Sequence, residues 1–235
     1  MNETSKQKTI RNILVFTILV NGLAWLGPVL GGSPAEPGPG FLVWGTAPIV
    51  AALIMKLVLG DKVSWGMRPH VRGNGRYYLF SLLAYPVTIA GVLAAGLLLG
   101  LTQWTPVPVA DGLTAVTPLI VIYFIFAIFE EFGWRGYLSP KVYSLNDSLW
   151  GHVVVGVIWA SWHFPYLAEL WSHTSESLWT LLPRFVLGTI IFTVVYGEIR
   201  LRTRSVWPAV LMHWSGNTVA NGLLTTAVAL TPGRE

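Results

Sequence analysis

Cysteine is missing from this chain, and charged side chains are scarce. The 235 residues include no Cys, and only 11% are Asp, Glu, Lys or Arg. Without Cys, the chain has no disulfides, thiolate metal sites or cysteine nucleophiles. A soluble globular protein has nearer a quarter of its residues charged, which argues against a soluble domain. A net charge of only +4, with the basic residues in short loops, argues against nucleic-acid binding.

Apolar residues take the place of the missing charges. Hydrophobic residues make up 53% of the chain, the mean hydropathy is +0.58, and 12 Trp and 8 Tyr suit the aromatic belts of a membrane protein. Because a span needs about 20 apolar residues, the sequence predicts roughly seven: Ile10–Leu30, Phe41–Leu59, Tyr77–Leu101, Thr117–Phe132, Leu149–Leu167, Leu178–Ile199 and Val206–Leu230. Eight spans would require a further, hidden helix. We therefore expect an all-α, polytopic transmembrane helical bundle in which residues 1–235 form a single integral-membrane domain.

The predicted loops alternate in charge, which orients the chain. The first, third and fifth loops contain no Lys or Arg, whereas the amino terminus and the even-numbered loops contain Lys6, Lys8, Arg11, Lys62, Arg68, Arg72, Arg76, Arg135, Lys141, Arg200, Arg202 and Arg204. Basic loops favour the cytoplasmic side. We expect a multi-pass protein in the lipid bilayer of the cell's inner membrane, with its amino terminus in the cytoplasm.

A pair of glutamates stands at the end of an apolar run. Glu130 and Glu131 follow the segment Pro118–Phe129, which contains no charge, and Arg135 comes four residues after the second glutamate. Ionisable residues at membrane depth are energetically expensive and are functional candidates by default. Residues four apart share a helix face, so Glu131 is predicted to pair with Arg135. Glu130, rotated by about 100° on the same helix, points elsewhere.

Two later apolar segments contribute histidines. His163 lies on the fifth predicted span, with Trp159 one turn before it, and His213 and Asn217 share a face of the seventh. At about 1.5 Å per residue, His163 lies roughly 17–20 Å, Asn217 about 17 Å and His213 about 11 Å from the cytoplasmic ends of their spans. Glu130 lies roughly 10 Å from the cytoplasmic end of its own span by the same rise. The sequence therefore predicts that these groups share the cytoplasmic half of the membrane.

Two kinds of hydrolytic chemistry suit such a set. A buried Glu with a His can activate water, while a second His and an Asn donate hydrogen bonds to an oxyanion. Alternatively, Glu130, His163 and His213 are three zinc ligands with water in the fourth position, although the HExxH zincin signature is absent. The Glu pair can also be a structural partner of Arg135 without catalysis. The water-activating mechanism and the zinc mechanism would both hydrolyse an amide bond.

The three motifs resemble those of the CPBP intramembrane proteases, which include the CAAX prenyl endopeptidases and bacterial Abi-type membrane proteins. The EExxxR motif is matched by Glu130, Glu131 and Arg135, FxxxH by Trp159 and His163 with Trp in place of Phe, and HxxxN by His213 and Asn217. The motif-bearing core covers about residues 117–221.

The resemblance implies a division of roles. It implies that Glu130 and His163 activate the water and that His213 and Asn217 form the oxyanion hole. Glu131, Arg135 and Trp159 would orient and support the site. It further implies an endopeptidase of a family often labelled as metalloproteases, acting on a peptide or protein substrate, with a divalent metal such as zinc left open. Because the three motifs share one depth in the cytoplasmic half of the membrane, we expect the substrate to enter from the cytoplasmic side.

Two other classes of function remain open on the sequence. One is a noncatalytic membrane scaffold or bacteriocin-immunity protein, and the other is a proton-coupled transporter that uses Glu130 as a relay. No internal repeat is visible in the sequence, which weakens the transporter interpretation. Among the remaining polar residues, we expect Asn21 to make an interhelical hydrogen bond and His70, His152 and His173 to be solvated.

Overall fold

The computed structural model describes residues 2–33, 36–105, 107–170, 176–226 and 228–230, and it is helical almost throughout. The α-helices of this part of the chain are α1 (Glu3–Leu30), α2 (Pro39–Leu57), α3 (Gly75–Leu98), α4 (Val109–Glu131), α5 (Ser139–Tyr143), α6 (Leu149–His163), α7 (Leu167–Leu170), α8 (Leu178–Thr203) and α9 (Trp207–Thr226). A π-helix, Phe132–Leu138, joins α4 to α5, and a 3₁₀ turn, Phe164–Tyr166, follows α6. Two short strands, β1 (Thr102–Trp104) and β2 (Val228–Leu230), pair antiparallel.

The predicted all-α membrane fold is confirmed. Within the described residues, five helical segments are long and apolar enough to cross a membrane: Glu3–Leu30, Pro39–Leu57, Gly75–Leu98, Ala110–Tyr143 and Leu178–Thr203. The remaining two predicted spans correspond to α6 and α9, which are not among these five. At 15 residues, α6 is shorter than the roughly 20 that a perpendicular span requires.

Two predicted span boundaries are wrong, for identifiable reasons. The fourth span was predicted as Thr117–Phe132, with continuation to Tyr137 left open, but α4 begins at Val109 and the helical segment runs on through the π-helix to Tyr143. Apolarity alone set the predicted limits, whereas the first turn of α4 contains an acidic residue, Asp111, which is favourable at a helix amino terminus. The fifth span was predicted to reach Leu167, but α6 ends at His163 and a 3₁₀ turn follows, in which Pro165 has no N–H to continue the α-helical hydrogen bonds.

The chain divides into two compact units, which we describe separately. The first consists of Met1–Pro69 and Phe129–Val206, and the second of His70–Ile128 and Trp207–Glu235. In the first unit, α1 packs on α2 and α6 on α8, while the π-helix contacts α2, α6 and α8. In the second, α3 packs along α9. The predicted single domain over 1–235 stays a prediction.

The π-helix is the most buried segment of the first unit. All seven of its residues are buried, and its aromatic rings pack onto α1, with Phe16 lying 5.9 Å from Trp134 and 5.0 Å from Tyr137 between ring centroids. Elsewhere in the unit, Ser161 Oγ donates to Asn21 Oδ1 at 3.0 Å. The predicted interhelical bond of Asn21 is therefore confirmed, and α1 is fixed to α6 as well as to the π-helix.

A glycine allows the π-helix to approach α2. A Cβ on Gly133 would lie 2.5 Å from Pro48 Cβ and 2.6 Å from the carbonyl carbon and oxygen of the same residue. Such distances are too short for any side chain, and two of the three atoms belong to the backbone, which cannot rotate away. The segment that directly follows Glu130 and Glu131 therefore lies in backbone contact with α2.

We predict that Gly133→Ala destabilises the protein by about 1–3 kcal/mol or more, because the added methyl overpacks a backbone contact. Gly188→Ala is the matched control, since a Cβ at this position of α8 has no atom within 4 Å. Replacing a helical Gly with Ala at an unobstructed site should stabilise by roughly 0.5–1 kcal/mol. Thermal unfolding in detergent measures both, and equal behaviour of the two variants would contradict the close approach.

Candidate functional site

The predicted Glu131–Arg135 pair is present and completely buried. Arg135 Nη1 donates to Glu131 Oε1 at 3.1 Å, and both side chains are 0% exposed. The π-helix starts at Phe132, so the pair forms across the transition from α-helical to π-helical backbone. Removing one member of such a buried pair leaves an uncompensated charge. The burial of each charge therefore depends strongly on the presence of the other.

Two aromatic rings flank the Arg135 guanidinium. Its Cζ lies 4.1 Å from the ring centroid of Trp159 on α6 and 4.3 Å from that of Tyr196 on α8. Within the described residues, its Nε and Nη2 atoms make no hydrogen bond. A guanidinium over an aromatic face gains a cation–π attraction that is larger when water is excluded. The rings thus provide part of the stabilisation that water would otherwise give.

Trp159 contacts three of the candidate groups at once. Besides its ring contact with Arg135, its indole Nε1 donates to Glu130 Oε2 at 3.3 Å. Its backbone oxygen lies 3.0 Å from His163 Nδ1. The Phe of the family motif would lack the indole donor, so the substitution by Trp adds a hydrogen bond to the 6%-exposed Glu130. Glu130, Arg135 and His163 are therefore connected through one residue of α6.

The hydrogen bond of His163 fixes its tautomer. A backbone carbonyl oxygen can only accept, so Nδ1 must carry the proton and donate to Trp159 O. In the neutral ring, Nε2 then presents a lone pair, and it can accept a proton. Rings surround the imidazole, with centroids at 4.5 Å for Trp162, 5.1 Å for Phe185, and 6.2 Å for Trp44.

His213 and Asn217 belong to the second unit, on α9. His213 is 7% exposed and Asn217 is half-buried. Between them, Ser215 Oγ donates to the backbone oxygens of Met212 at 3.1 Å and of Ser81 on α3 at 3.4 Å. A Cβ on Gly216 would lie 2.8 Å from the ring of Tyr85 on α3. The HxxxN turn is thus held closely against α3.

Asp61, in the loop after α2, is a buried residue that sequence reasoning missed. It is 4% exposed and accepts hydrogen bonds from Tyr137 Oη at 2.7 Å and Lys141 Nζ at 2.6 Å. Burial raises the pKa of this carboxyl, but the hydrogen bonds and charge from Lys141 and Tyr137 outweigh that effect and leave its pKa below the ordinary value of 3.8. In the sequence, the only sign of this anchor is that Asp61 is an acidic residue directly before the basic Lys62. Asp61 anchors the loop to the end of the π-helix.

Two further polar residues are buried against expectation. His152 was predicted to be solvated, but it is 2% exposed, with Nδ1 2.8 Å from Tyr143 Oη and Nε2 3.5 Å from Glu198 Oε1. Its position near the start of α6 suggested water, whereas α5 and α8 enclose it. Arg200, counted only as a basic topology residue, donates to the backbone oxygens of Arg135 and Ser64.

Of the other histidines, His70 is exposed, as predicted. The prediction for His173 falls outside the described residues.

The described side chains do not support the zinc alternative directly. In the part of the chain that the structure describes, no group of three or more His, Cys, Asp or Glu side chains is placed to hold a metal ion. The predicted ligand set is Glu130, His163 and His213, the three protein ligands that a catalytic zinc site takes. Zinc binding therefore remains a prediction, and the mechanism proposed below relies on the chain's own residues.

The chain is thus an integral membrane protein of apolar helices with a buried glutamate–arginine pair and a neighbouring histidine. The family model described as type II CAAX prenyl endopeptidase Rce1-like matches residues 112–219. This segment contains all three motifs, from Glu130 to Asn217. This segment is therefore similar to CAAX prenyl endopeptidases, the group that the motifs resemble.

A curated relative also matches part of this chain. The CAAX prenyl protease 2 of Methanococcus maripaludis is 28% identical over 106 residues, which are 43% of this chain and 39% of the relative. The chain thus covers about two fifths of the length of that relative. Helices α1 and α2 lie before the matched family segment, which begins at residue 112.

We predict that Arg135→Ala destabilises the protein by about 3–5 kcal/mol, because it leaves Glu131 buried without its cation. Arg202→Ala is the matched control. Arg202 also pairs with a glutamate four residues earlier, Glu198, at 3.1 Å, but its side chain is 60% exposed. Exposed pairs contribute roughly 0–1 kcal/mol. Thermal unfolding of both variants in detergent provides the comparison. Similar losses of stability in the two variants would mean that burial does not increase the contribution of the arginine to stability.

We predict a pH-dependent contribution from Asp61. Because its pKa is lowered in the folded protein, its stabilising effect is present above 3.8 and is lost as the pH falls through the lower folded value. Asp61→Asn should therefore lower the unfolding temperature near neutral pH, and the difference from the unsubstituted protein should shrink below that pH range. The exposed Asp147→Asn is the control. A difference that stays constant with pH would contradict the ionised anchor.

Proposed function

We propose that this protein is an intramembrane endopeptidase that hydrolyses a peptide bond with activated water, in the manner of CAAX proteases. The observation that carries the proposal is the connection of Glu130 and His163 through Trp159. The family match over residues 112–219 supports protease chemistry. A substrate peptide or protein reaches the site from the cytoplasmic side, in an inner membrane where the amino terminus is cytoplasmic.

Glu130 and His163 divide the proton chemistry in this proposal. Glu130 accepts a proton from water as the water oxygen bonds to the substrate carbonyl carbon. The carbon–nitrogen bond then breaks, and the proton passes to the leaving amine. Nδ1 of His163 donates to Trp159 O, and in this proposal Nε2, the other ring nitrogen, holds the water or shares its proton. Positioned acid–base groups of this kind contribute typically 10²–10⁴-fold.

His213 and Asn217 stabilise the tetrahedral intermediate in this proposal. A protonated imidazole nitrogen and a side-chain amide are both hydrogen-bond donors, and the intermediate places negative charge on the former carbonyl oxygen. Loss of one such donor lowers kcat by about 10²–10³-fold. Glu131, paired with the buried Arg135, orients the motif in this scheme.

We predict that Glu130→Gln and His163→Asn each reduce cleavage by about 10²–10⁴-fold, because each removes a proton acceptor. The assay uses protein reconstituted in liposomes with fluorogenic peptides ending in a CAAX sequence, with and without a prenyl group. The prenylated peptide tests the substrate class in the relative's name. Glu36→Gln and His70→Asn, at exposed positions, are the matched controls.

Four outcomes test this function and separate it from its rivals. Undiminished cleavage by Glu130→Gln or His163→Asn would remove that residue from the mechanism. Absence of cleavage, together with unchanged biological activity of Glu130→Gln, would favour a noncatalytic scaffold or immunity protein. Movement of a solute with protons across the liposome membrane, lost in Glu130→Gln, would favour a transporter. Loss of cleavage after chelation and its return with zinc would support metal dependence.

A further inference from the structure

Trp44 on α2 and Trp162 on α6 form a reciprocal pair. Trp44 Nε1 donates to the backbone oxygen of Trp162 at 3.0 Å, and Trp162 Nε1 donates to the backbone oxygen of Trp44 at 3.1 Å. Their rings stack at 4.3 Å between centroids with an interplanar angle of 3°. Both residues are buried, at 6% and 0% exposure. Two hydrogen bonds and one stacking contact therefore join these helices at a single point.

The backbone oxygens in this pair are ones that helices leave unsatisfied. Pro48 lies inside α2, four residues after Trp44; without an N–H, it cannot donate to the Trp44 oxygen. Trp162 is the second-last residue of α6, and the last four carbonyls of a helix lack helical partners. Each indole thus satisfies a backbone acceptor that its partner helix exposes. The pairing follows from a proline in one helix and the end of the other.

The same turn of α2 contacts both candidate catalytic segments. Trp162 directly precedes His163, whose ring centroid lies 4.5 Å from that of Trp162. Pro48 lies against Gly133 of the π-helix, three residues after Glu130. The Trp44–Pro48 turn therefore abuts the end of α6 that presents His163 and the helix that presents Glu130.

We propose that the Trp44–Pro48 turn, together with Trp162, is a positioning device that sets His163 relative to Glu130. The proposal rests on the proposed function, in which these two residues share the reacting water. Trp44, Pro48 and Trp162 are positioning residues, because they act through the backbone of α6 and of the π-helix. All three helical segments belong to the first unit.

Pro48→Ala distinguishes positioning from general stabilisation. Alanine restores an N–H that can donate to the Trp44 oxygen, so it competes with the Trp162 indole for that acceptor. Alanine is also a far better helix former than proline. A positioning role predicts a protein whose α2 is at least as stable as before but whose His163 is displaced. A purely structural role predicts that stability and activity change together.

The experiment compares Trp44→Phe, Trp162→Phe and Pro48→Ala with Trp150→Phe. Phenylalanine keeps a stacking ring but lacks the indole donor, and Trp150, on the same helix α6, is 71% exposed. We expect kcat to fall about tenfold or more, with KM nearly unchanged, in the first three variants, since small displacements of reacting groups cause losses of this order. Trp162→Phe with Pro48→Ala should lose little more than Trp162→Phe alone, because the first removes the bond that the second weakens by competition.

A second measurement does not depend on cleavage. The ring ¹⁵N resonances of His163, assigned by their loss in His163→Asn, report its tautomer and hydrogen bonding. We expect them to shift in Trp44→Phe and Pro48→Ala and to remain unchanged in Trp150→Phe. Unchanged resonances together with unchanged kcat would overturn the positioning proposal. If neither the unsubstituted protein nor any variant cleaves peptide, the proposed function fails. The resonances of His163 still decide whether the Trp44–Pro48 turn positions this residue.

Discussion

The buried ion pair between Glu131 and Arg135 is the constraint on which the rest of the site depends. Two charges with no exposed surface, in a chain that is 53% hydrophobic, carry a desolvation penalty that only close partners can offset. The partners come from two other helices, since the guanidinium lies between rings from α6 and α8. Arg200 of α8 also donates to the Arg135 backbone oxygen at 2.9 Å. The ion pair therefore fixes where α6 and α8 stand relative to the π-helix.

This constraint explains why two adjacent glutamates have different surroundings. Glu131 is committed to Arg135, and the ring that covers Arg135 belongs to Trp159. The indole nitrogen of that ring reaches Glu130, and its backbone oxygen contacts His163. Placing the ring over the arginine thus also places a donor at the other carboxylate. The ion pair, Glu130 and His163 are therefore connected through a single tryptophan.

The sequence predicts those features that depend on local spacing or composition. The low charge content predicts a helical membrane protein, the four-residue spacing predicts the Glu131–Arg135 pair, and an amide in an apolar helix predicts the bond of Asn21. It does not predict the π-helix, because no local pattern marks the shift in hydrogen bonding after Glu131. The sequence also does not predict the burial of His152 and Arg200, because enclosure by other helices is a property of tertiary packing.

The support from α2 illustrates the same limit in a more instructive way. Proline in a helix usually reads as a local defect, because it removes one hydrogen bond. Here the Trp44 oxygen, which Pro48 leaves without a helical donor, accepts a hydrogen bond from the indole of Trp162, 118 residues away. The motifs lie within residues 112–219, whereas the helix that satisfies the end of α6 lies before this segment. A motif can name candidate groups, but the backbone around them also contacts helices elsewhere in the chain, and here α2, outside the matched segment, packs against both α6 and the π-helix.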